Sequence, residues 1–526
     1  MRHGLAAVAL AGVAFFQVFI CPTDIGYTYD STVYLAGAQS LAEGKGYRFV
    51  AHGGTPVIGF YPPLQSLYLS FAWRLAPEFP GNILLLVMAM ILLSLVISGL
   101  LYGYLLREGV PPWGAGLSAV LFATSPVWFG NLVHLYADTM FTLLGLAVAR
   151  LWQASAPAAT NRLWLITGLG FALLYLAKSS AAAPIAAVFV VVAVARPWRL
   201  ASVICLMAPV LLAVLGWKLL RGASPSYWDA LRLRWAQEGG LGPMLAYQCQ
   251  SAWQYLSGQP VVDGLFPAWV RLPHISLVQH LGLGPILSGA VLVSALVFMC
   301  CVVIGFRQRR TPLNWALGWI VAAYLLQLII WPYYLGPRAL FAILPYLLGW
   351  AWHGFLWLAG RGGRQRWAAP VVAGVLACGV GLNLRLSYQE KAANERLNSL
   401  PELRAIAAWI NKYVPPDSAV AAGYSLPVMH LHAYTGRKYL EDYFAETAGF
   451  VPMSFRSHRQ RAAYVVSARL DAQGAPPRDP PHLVELSAKY PGLFQPVKES
   501  SQGRYVVLAI NSKQEEHFLK DYFPAP

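Results

Sequence analysis

Apolar runs separated by short polar breaks dominate the first three quarters of the chain. They fall near 4–22, 81–106, 112–130, 135–153, 163–178, 180–196, 199–220, 283–306, 312–331, 338–359 and 367–387. A helix needs about twenty apolar residues to cross a bilayer, so the pattern predicts about eleven transmembrane helices. The run over 163–196 is divided only by Lys178-Ser179-Ser180 and Pro184. Two breaks are long. Residues 23–80 contain a helical pattern over 31–43, a Gly-Lys-Gly stop, and GFYPPLQSLYLSFAWRL, whose prolines launch a second amphipathic segment along the membrane surface. Residues 222–282 are rich in Trp, Tyr and Gln, a composition that suits an interfacial aromatic belt or a sugar-binding face.

From 388 onward the pattern changes. Leu397, Leu400, Leu403, Ile406 and Ile410 repeat at helical spacing before a Pro-Pro stop, and AAYVVSA and RYVVLAI read as strands. The chain therefore divides into a multispan membrane domain, 1–387, and an α/β domain, 388–526, large enough to hold its own core. Within the latter, TGRKYLEDY at 435–443 carries the charge of a solvated loop.

Composition agrees with the membrane assignment: 57% of the 526 residues are hydrophobic and only 12% charged. A net charge of +16 raises the question of nucleic acid. The arginines answer it, because Arg2, Arg107, Arg150, Arg162, Arg196, Arg199, Arg307, Arg309, Arg310, Arg361, Arg364 and Arg366 occupy alternate breaks. That is the positive-inside distribution of a multi-pass plasma-membrane protein, with no nucleic-acid partner required. It places the N-terminus in the cytoplasm and the C-terminal domain outside. The first run lacks a small-x-small cleavage site before Asp24 and reads as a retained span. The six cysteines have no metal-like spacing, which predicts neither a disulfide framework nor structural zinc.

The acids are one-sided. Nine precede residue 390, namely Asp24, Asp30, Glu43, Glu78, Glu108, Asp138, Asp229, Glu238 and Asp263, and in this topology only Glu108 is cytoplasmic. Asp30 heads the helical pattern after the first span, and Asp138 lies at the outer end of the fourth. A carboxylate at the edge of hydrocarbon occupies a wet cavity or meets a partner. For Asp30 the alternatives are a helix cap and a general base; for Asp138 they are an interfacial residue and a second acidic group of a site. Lys178 and Arg338 are cations on the same side, against the positive-inside trend. Each suits either a structural ion pair or a phosphate site, where a guanidinium offers two parallel hydrogen bonds and an ammonium a point charge.

DSTVYLAGAQSLAEGKGYRF, with YPPLQSLYLSF after it, the acid heading the fourth span and GPRALFAILP, resembles GT-C superfamily glycosyltransferases. The pattern is most similar to the group of protein O-mannosyltransferases and lipid A aminoarabinose transferases (glycosyltransferase family 39-like). Ser31 stands where many relatives carry a second acid, and no WWDYG motif occurs, which sets the chain apart from oligosaccharyltransferase catalytic subunits.

The resemblance implies a GT-C-like helical bundle and transfer of a sugar from a polyprenyl-phosphate donor to an acceptor hydroxyl on a lipid, glycan or protein. Transfer would take place at the outer face, with inversion. It implies Asp30 as base, Asp138 as the second acid, Arg338 and more weakly Lys178 at the donor phosphate, and Tyr34, Tyr61, His52 and His134 at the cleft. No metal ligand set is evident, since two carboxylates are sparse for Mg²⁺ or Mn²⁺ and Arg338 could replace metal charge at the phosphate; dependence on either ion stays open. A lipid or glycolipid transporter is the alternative, although the acids lie near one face rather than at the midplane.

Overall fold

The structure is a computed structural model. It describes residues 2–22, 28–155, 161–195, 200–222, 241–271, 279–280, 283–309, 311–331, 335–361, 365–396, 400–422, 428–441, 463–468, 487–501 and 505–511. In chain order the helices are α1 (Arg2–Phe19), α2 (Tyr29–Ala42), α3 (Leu64–Leu75), α4 (Ile83–Arg107), α5 (Pro112–Thr124), α6 (Pro126–Val133), α7 (Ala137–Ser155), α8 (Asn161–Ala177), α9 (Ala182–Ala195) and α10 (Leu200–Arg221). They continue with α11 (Leu241–Leu256), α12 (Gln259–Leu265), α13 (Pro267–Arg271), α14 (Gly284–Gln308), α15 (Pro312–Ile330), α16 (Leu344–Arg361) and α17 (Gln365–Arg396). The terminal region carries α18 (Leu400–Tyr413), β1 (Val420–Ala422), α19 (Val428–Thr435), β2 (Tyr439–Glu441), β3 (Tyr464–Ala468), β4 (Phe494–Glu499) and β5 (Tyr505–Ile510).

Each of the eleven apolar runs is helical over most of its described length. Among the described residues, five helices are long and apolar enough to cross a membrane, and α5 with α6, bent by 52°, has the length and composition of a sixth if the pair is one span. Shorter apolar helices occupy Gly4–Phe19, Asn161–Ala177 and Ser179–Val190. The break inside 163–196 is real: α8 ends at Ala177, and a 3-10 turn over Ser179–Ala181 precedes α9. Exposed rows such as Leu211, Leu212, Leu215 and Leu219 on α10 need hydrocarbon, not water, as their surroundings. The chain is a helical, multi-pass membrane protein.

The chain folds as two compact units. One comprises 1–22, 87–220 and 240–393; the other comprises 23–86, 221–239 and 394–526. Residues 23–86, of which 23–80 are read from sequence with the membrane portion, thus fall in one unit with the terminal residues.

In the first unit, α14 and α16 cross backbone to backbone. A Cβ on Gly305 would sit 1.8 Å from the Trp350 carbonyl oxygen, and one on Gly354 would sit 1.9 Å from that of Cys301. Small residues are what let two helices in lipid approach this closely. Gly305→Ala or Gly354→Ala must push them apart; the expected result is a lower thermal unfolding midpoint, with a loss of about 1–3 kcal/mol for overpacking. Glu108, at the end of α4, is buried and holds this end of the bundle together. It accepts from the Arg309 guanidinium, and its other oxygen accepts from Gln153 Nε2 on α7 at 2.7 Å.

The α5–α6 bend has a local cause. Pro126 cannot continue α5, and Ser125 caps α6 by accepting from the Trp128 N–H at 3.2 Å. Ser125 also donates to the Gly264 carbonyl of α12, and Trp128 Nε1 donates to Ser94 Oγ of α4 at 2.8 Å. Trp128 and Phe122 then close on Phe341, with ring centroids 5.2 and 5.1 Å away. This buried cluster fixes the 3-10 turn Pro337–Ala342, which bears Arg338.

In the second unit the terminal sheet has strand order β2-β1-β3-β5-β4. β1 runs parallel to β2 and β3, whereas β5 is antiparallel to β3 and β4. Ala421, Val465, Leu493, Val506 and Leu508 form its core. Leu403, Ile406 and Ile410 of α18 are fully buried, as their spacing predicts. TGRKYLEDY is not a solvated loop throughout: Tyr439 opens an edge strand and is 0% exposed.

Candidate active site

The candidate residues form two groups, one in each unit. In the second unit, α2 starts at a Thr28 cap, whose Oγ1 accepts from the Ser31 N–H at 3.3 Å. Asp30 is therefore relieved of capping, the simplest structural role for a carboxylate there. It lies half-buried in the first turn, where the helix dipole favours its charge, and Oδ1 accepts a 2.6 Å hydrogen bond from the Tyr61 hydroxyl. Tyr61 packs edge-on to Tyr34 with ring centroids 5.3 Å apart. Ser31 is buried, and its Oγ lies 2.7 Å from Thr28 Oγ1. Ser31 is thus part of the cap.

In the first unit, α6 ends in a left-handed turn: the Tyr136 N–H donates to the Asn131 carbonyl at 2.9 Å, with Leu135 at φ 54°. Such a conformation is costly for a bulky L-residue and tends to persist where the surroundings impose it. The turn delivers two side chains. Asp138 enters the first turn of α7, and Tyr136 lies under the Arg338 guanidinium, 4.2 Å from ring centroid to Cζ. His134 stacks on the same Tyr136 at 5.2 Å.

Lys178 caps the broken end of α8 and donates to Asp138 Oδ1 at 2.6 Å. Only 17% of the Lys178 side chain and 6% of the Asp138 side chain are exposed, so this is a buried ion pair. Lys178 and Asp138 thus compensate each other's charge. The Tyr324 hydroxyl of α15 donates to the Ala339 carbonyl at 3.0 Å and lies within electrostatic range of Asp138 and Arg338. Asp263 in α12 neighbours Gly264, which packs against Pro337 and Phe341. Burial raises its carboxyl above the usual range, opposed by the Arg271 charge.

In the same unit a small apolar pocket is lined among others by Phe141, Phe171, Leu317, Tyr324, Ala342 and Tyr346. Among the described residues no three His, Cys, Asp or Glu side chains converge. Tyr136 and Tyr324 escaped sequence reading, since a Tyr at a span end reads first as an interfacial anchor.

No family model and no curated protein sequence matches the chain. Its fold is similar to that of ArnT from Cupriavidus metallidurans bound to undecaprenyl phosphate, with TM-score 0.55, 13% identity, and 97% of this chain and 99% of that one covered. The apo state of the same protein gives 0.53 at 14% identity, again over 97% and 99%. An Archaeoglobus fulgidus oligosaccharyltransferase tethered with an acceptor peptide gives 0.48 at 12% identity, over 88% of this chain and 69% of that one. The chain shares the fold of the two ArnT structures over almost its whole length.

Proposed function

We propose that the chain is a membrane glycosyltransferase. It moves a sugar from a polyprenyl-phosphate donor to an acceptor hydroxyl at the outer membrane face, inverting the anomeric centre. The observation that carries this reading is the placement of Arg338. It is mounted on a buried 3-10 turn, held over Tyr136, four residues before Ala342 in the wall of the apolar pocket. A guanidinium held over a ring suits a phosphate group, whose oxygens its fork can grip with two parallel hydrogen bonds. The fold shared with ArnT supports the same reading.

The chemistry follows from the two groups. Asp30 takes the proton of the acceptor hydroxyl as its oxygen attacks the anomeric carbon. The bond from that carbon to the phosphate oxygen breaks, and the electron pair leaves with the phosphate, whose growing charge Arg338 stabilises. The products are the glycosylated acceptor and polyprenyl phosphate, with the proton on Asp30. Asp138, held by Lys178, shapes the field around the phosphate group.

Binding of undecaprenyl phosphate to the purified protein tests the carrying observation. Arg338→Lys keeps the charge and loses the fork and the stacking. Its expected effect is about tenfold weaker binding, equivalent to roughly 1.4 kcal/mol. Unchanged affinity in this variant would remove Arg338 from the phosphate.

A further inference from the structure

The first outer segment is built into the terminal domain. Its hairpin over 47–58 closes through the Phe49 N–H to the Pro56 carbonyl at 2.9 Å and the Ile58 N–H to the Tyr47 carbonyl at 3.2 Å. The tip lies along the open side of β2. There the Tyr439 N–H donates to the Ala51 carbonyl at 2.8 Å, and the Gly53 N–H donates to the Tyr439 carbonyl at 3.0 Å, pairing His52 in parallel with Tyr439. β2 is the edge of the terminal sheet, so residues 51–53 serve as its next strand. Main-chain bonds at a sheet edge are a recurrent way to hold an extended segment. The seam is dry: Phe49, Ala51 and Tyr439 are 0% exposed. A second tie joins Phe79, after α3, edge-on to His430 of α19, with centroids 4.8 Å apart.

Both legs of the hairpin lead to Asp30. On the incoming leg, Tyr47 fills a notch over Gly37 of α2, where a Cβ would meet its ring at 2.5 Å. Its hydroxyl lies 3.4 Å from Ser66 Oγ, which in turn donates to the Tyr34 carbonyl at 3.0 Å. The outgoing leg runs through Ile58 to Tyr61, the donor to Asp30. Tyr61 is 6% exposed and wedged between Tyr34 and Phe60, so its hydroxyl has little freedom to leave the carboxylate.

We infer that the terminal α/β domain is a positioning element for the transfer reaction, clamping the 47–58 hairpin at its sheet edge so that Tyr61 fixes the rotation of the Asp30 carboxylate. Tyr61 is the positioning residue, and the Ala51–Gly53 edge is what holds it. The inference rests on Asp30 as the base. It gives the terminal domain a part in catalysis without contact to substrate. A misplacement of about 1 Å at a reacting group costs up to a hundredfold in rate, so a clamp remote from the chemistry has a large lever.

The test uses the full-length protein in lipid vesicles with a polyprenyl-phosphate sugar as donor, and reads transfer kinetics and amide hydrogen exchange together. Gly53→Pro deletes the N–H that bonds Tyr439, and Gly53→Ala, which keeps it, is the control. Gly53→Pro is expected to speed exchange across 49–61 and at 439–441 and to lower kcat about ten- to a hundredfold with donor KM within twofold. Gly53→Ala should restore both. Tyr61→Phe should give the same kcat loss at unchanged exchange, and it keeps the inference testable if Gly53→Pro does not fold. Rapid exchange in Gly53→Pro with wild-type kcat would overturn the inference, and so would wild-type kcat in Tyr61→Phe. If the wild type shows slow exchange at 51–53 and transfers no sugar from any donor, the functional reading fails, and the clamp loses its reaction while the seam remains.

Discussion

Asp30→Asn is expected to lower sugar transfer by at least about a hundredfold, the lower range for losing a general base, with folding and donor binding intact. The substitution is unusually clean here. The α2 cap belongs to Thr28, so the helix start does not depend on the carboxylate. The amide oxygen of Asn still accepts from Tyr61, so the 2.6 Å bond that orients the side chain has a successor. What disappears is the capacity to take a proton. Initial rates at saturating donor, with the unfolding midpoint as control, decide the matter; a variant within twofold of wild type would remove Asp30 from the chemistry.

Lys178→Met is expected to be among the most destabilising single changes in the bundle. It leaves Asp138, at 6% side-chain exposure, as a buried charge without its 2.6 Å partner. Breaking a buried pair from one side costs about 3–5 kcal/mol, whereas removing both charges together is often close to neutral. The double variant Lys178→Met with Asp138→Asn should therefore regain most of the lost stability. Its transfer activity should stay low if Asp138 shapes the field at the donor phosphate. Thermal unfolding of the two single variants and the double variant measures the coupling; additive losses would mean that the pair is not an energetic unit.

The helices were legible because hydropathy along a chain depends only on which residues lie in lipid. The break at Lys178-Ser179-Ser180 and the α18 stripe followed from the same logic, through polar interruption and 3.6-residue spacing. Crossing length was less legible. The α5–α6 bend comes from Ser125 and Pro126 within an apolar stretch, and hydropathy does not sense a turn. Partnerships were the least legible. Asp138 and Lys178 stand 40 residues apart, and Tyr61 reaches back 31 residues to Asp30. Which side chains meet depends on the rotation of each helix about its axis, which composition does not encode. Arg338 was marked by a charge distribution that reads as putting it on the side where cations are rare, but its Tyr136 support had no such mark. The strand at Tyr439 was hidden by its charged neighbours, because a three-residue edge strand offers too few alternations to stand out.

In the proposed reaction each turnover breaks the bond between a sugar and a polyprenyl phosphate. The most direct measurement is the release of free polyprenyl phosphate from labelled polyprenyl-phosphate sugars by the protein in lipid vesicles, with acceptor hydroxyls supplied. One polyprenyl phosphate is expected for each new glycosidic bond, with both lost in Asp30→Asn. Donor that changes leaflet while its sugar–phosphate bond stays intact would contradict the proposed reaction and identify a transporter.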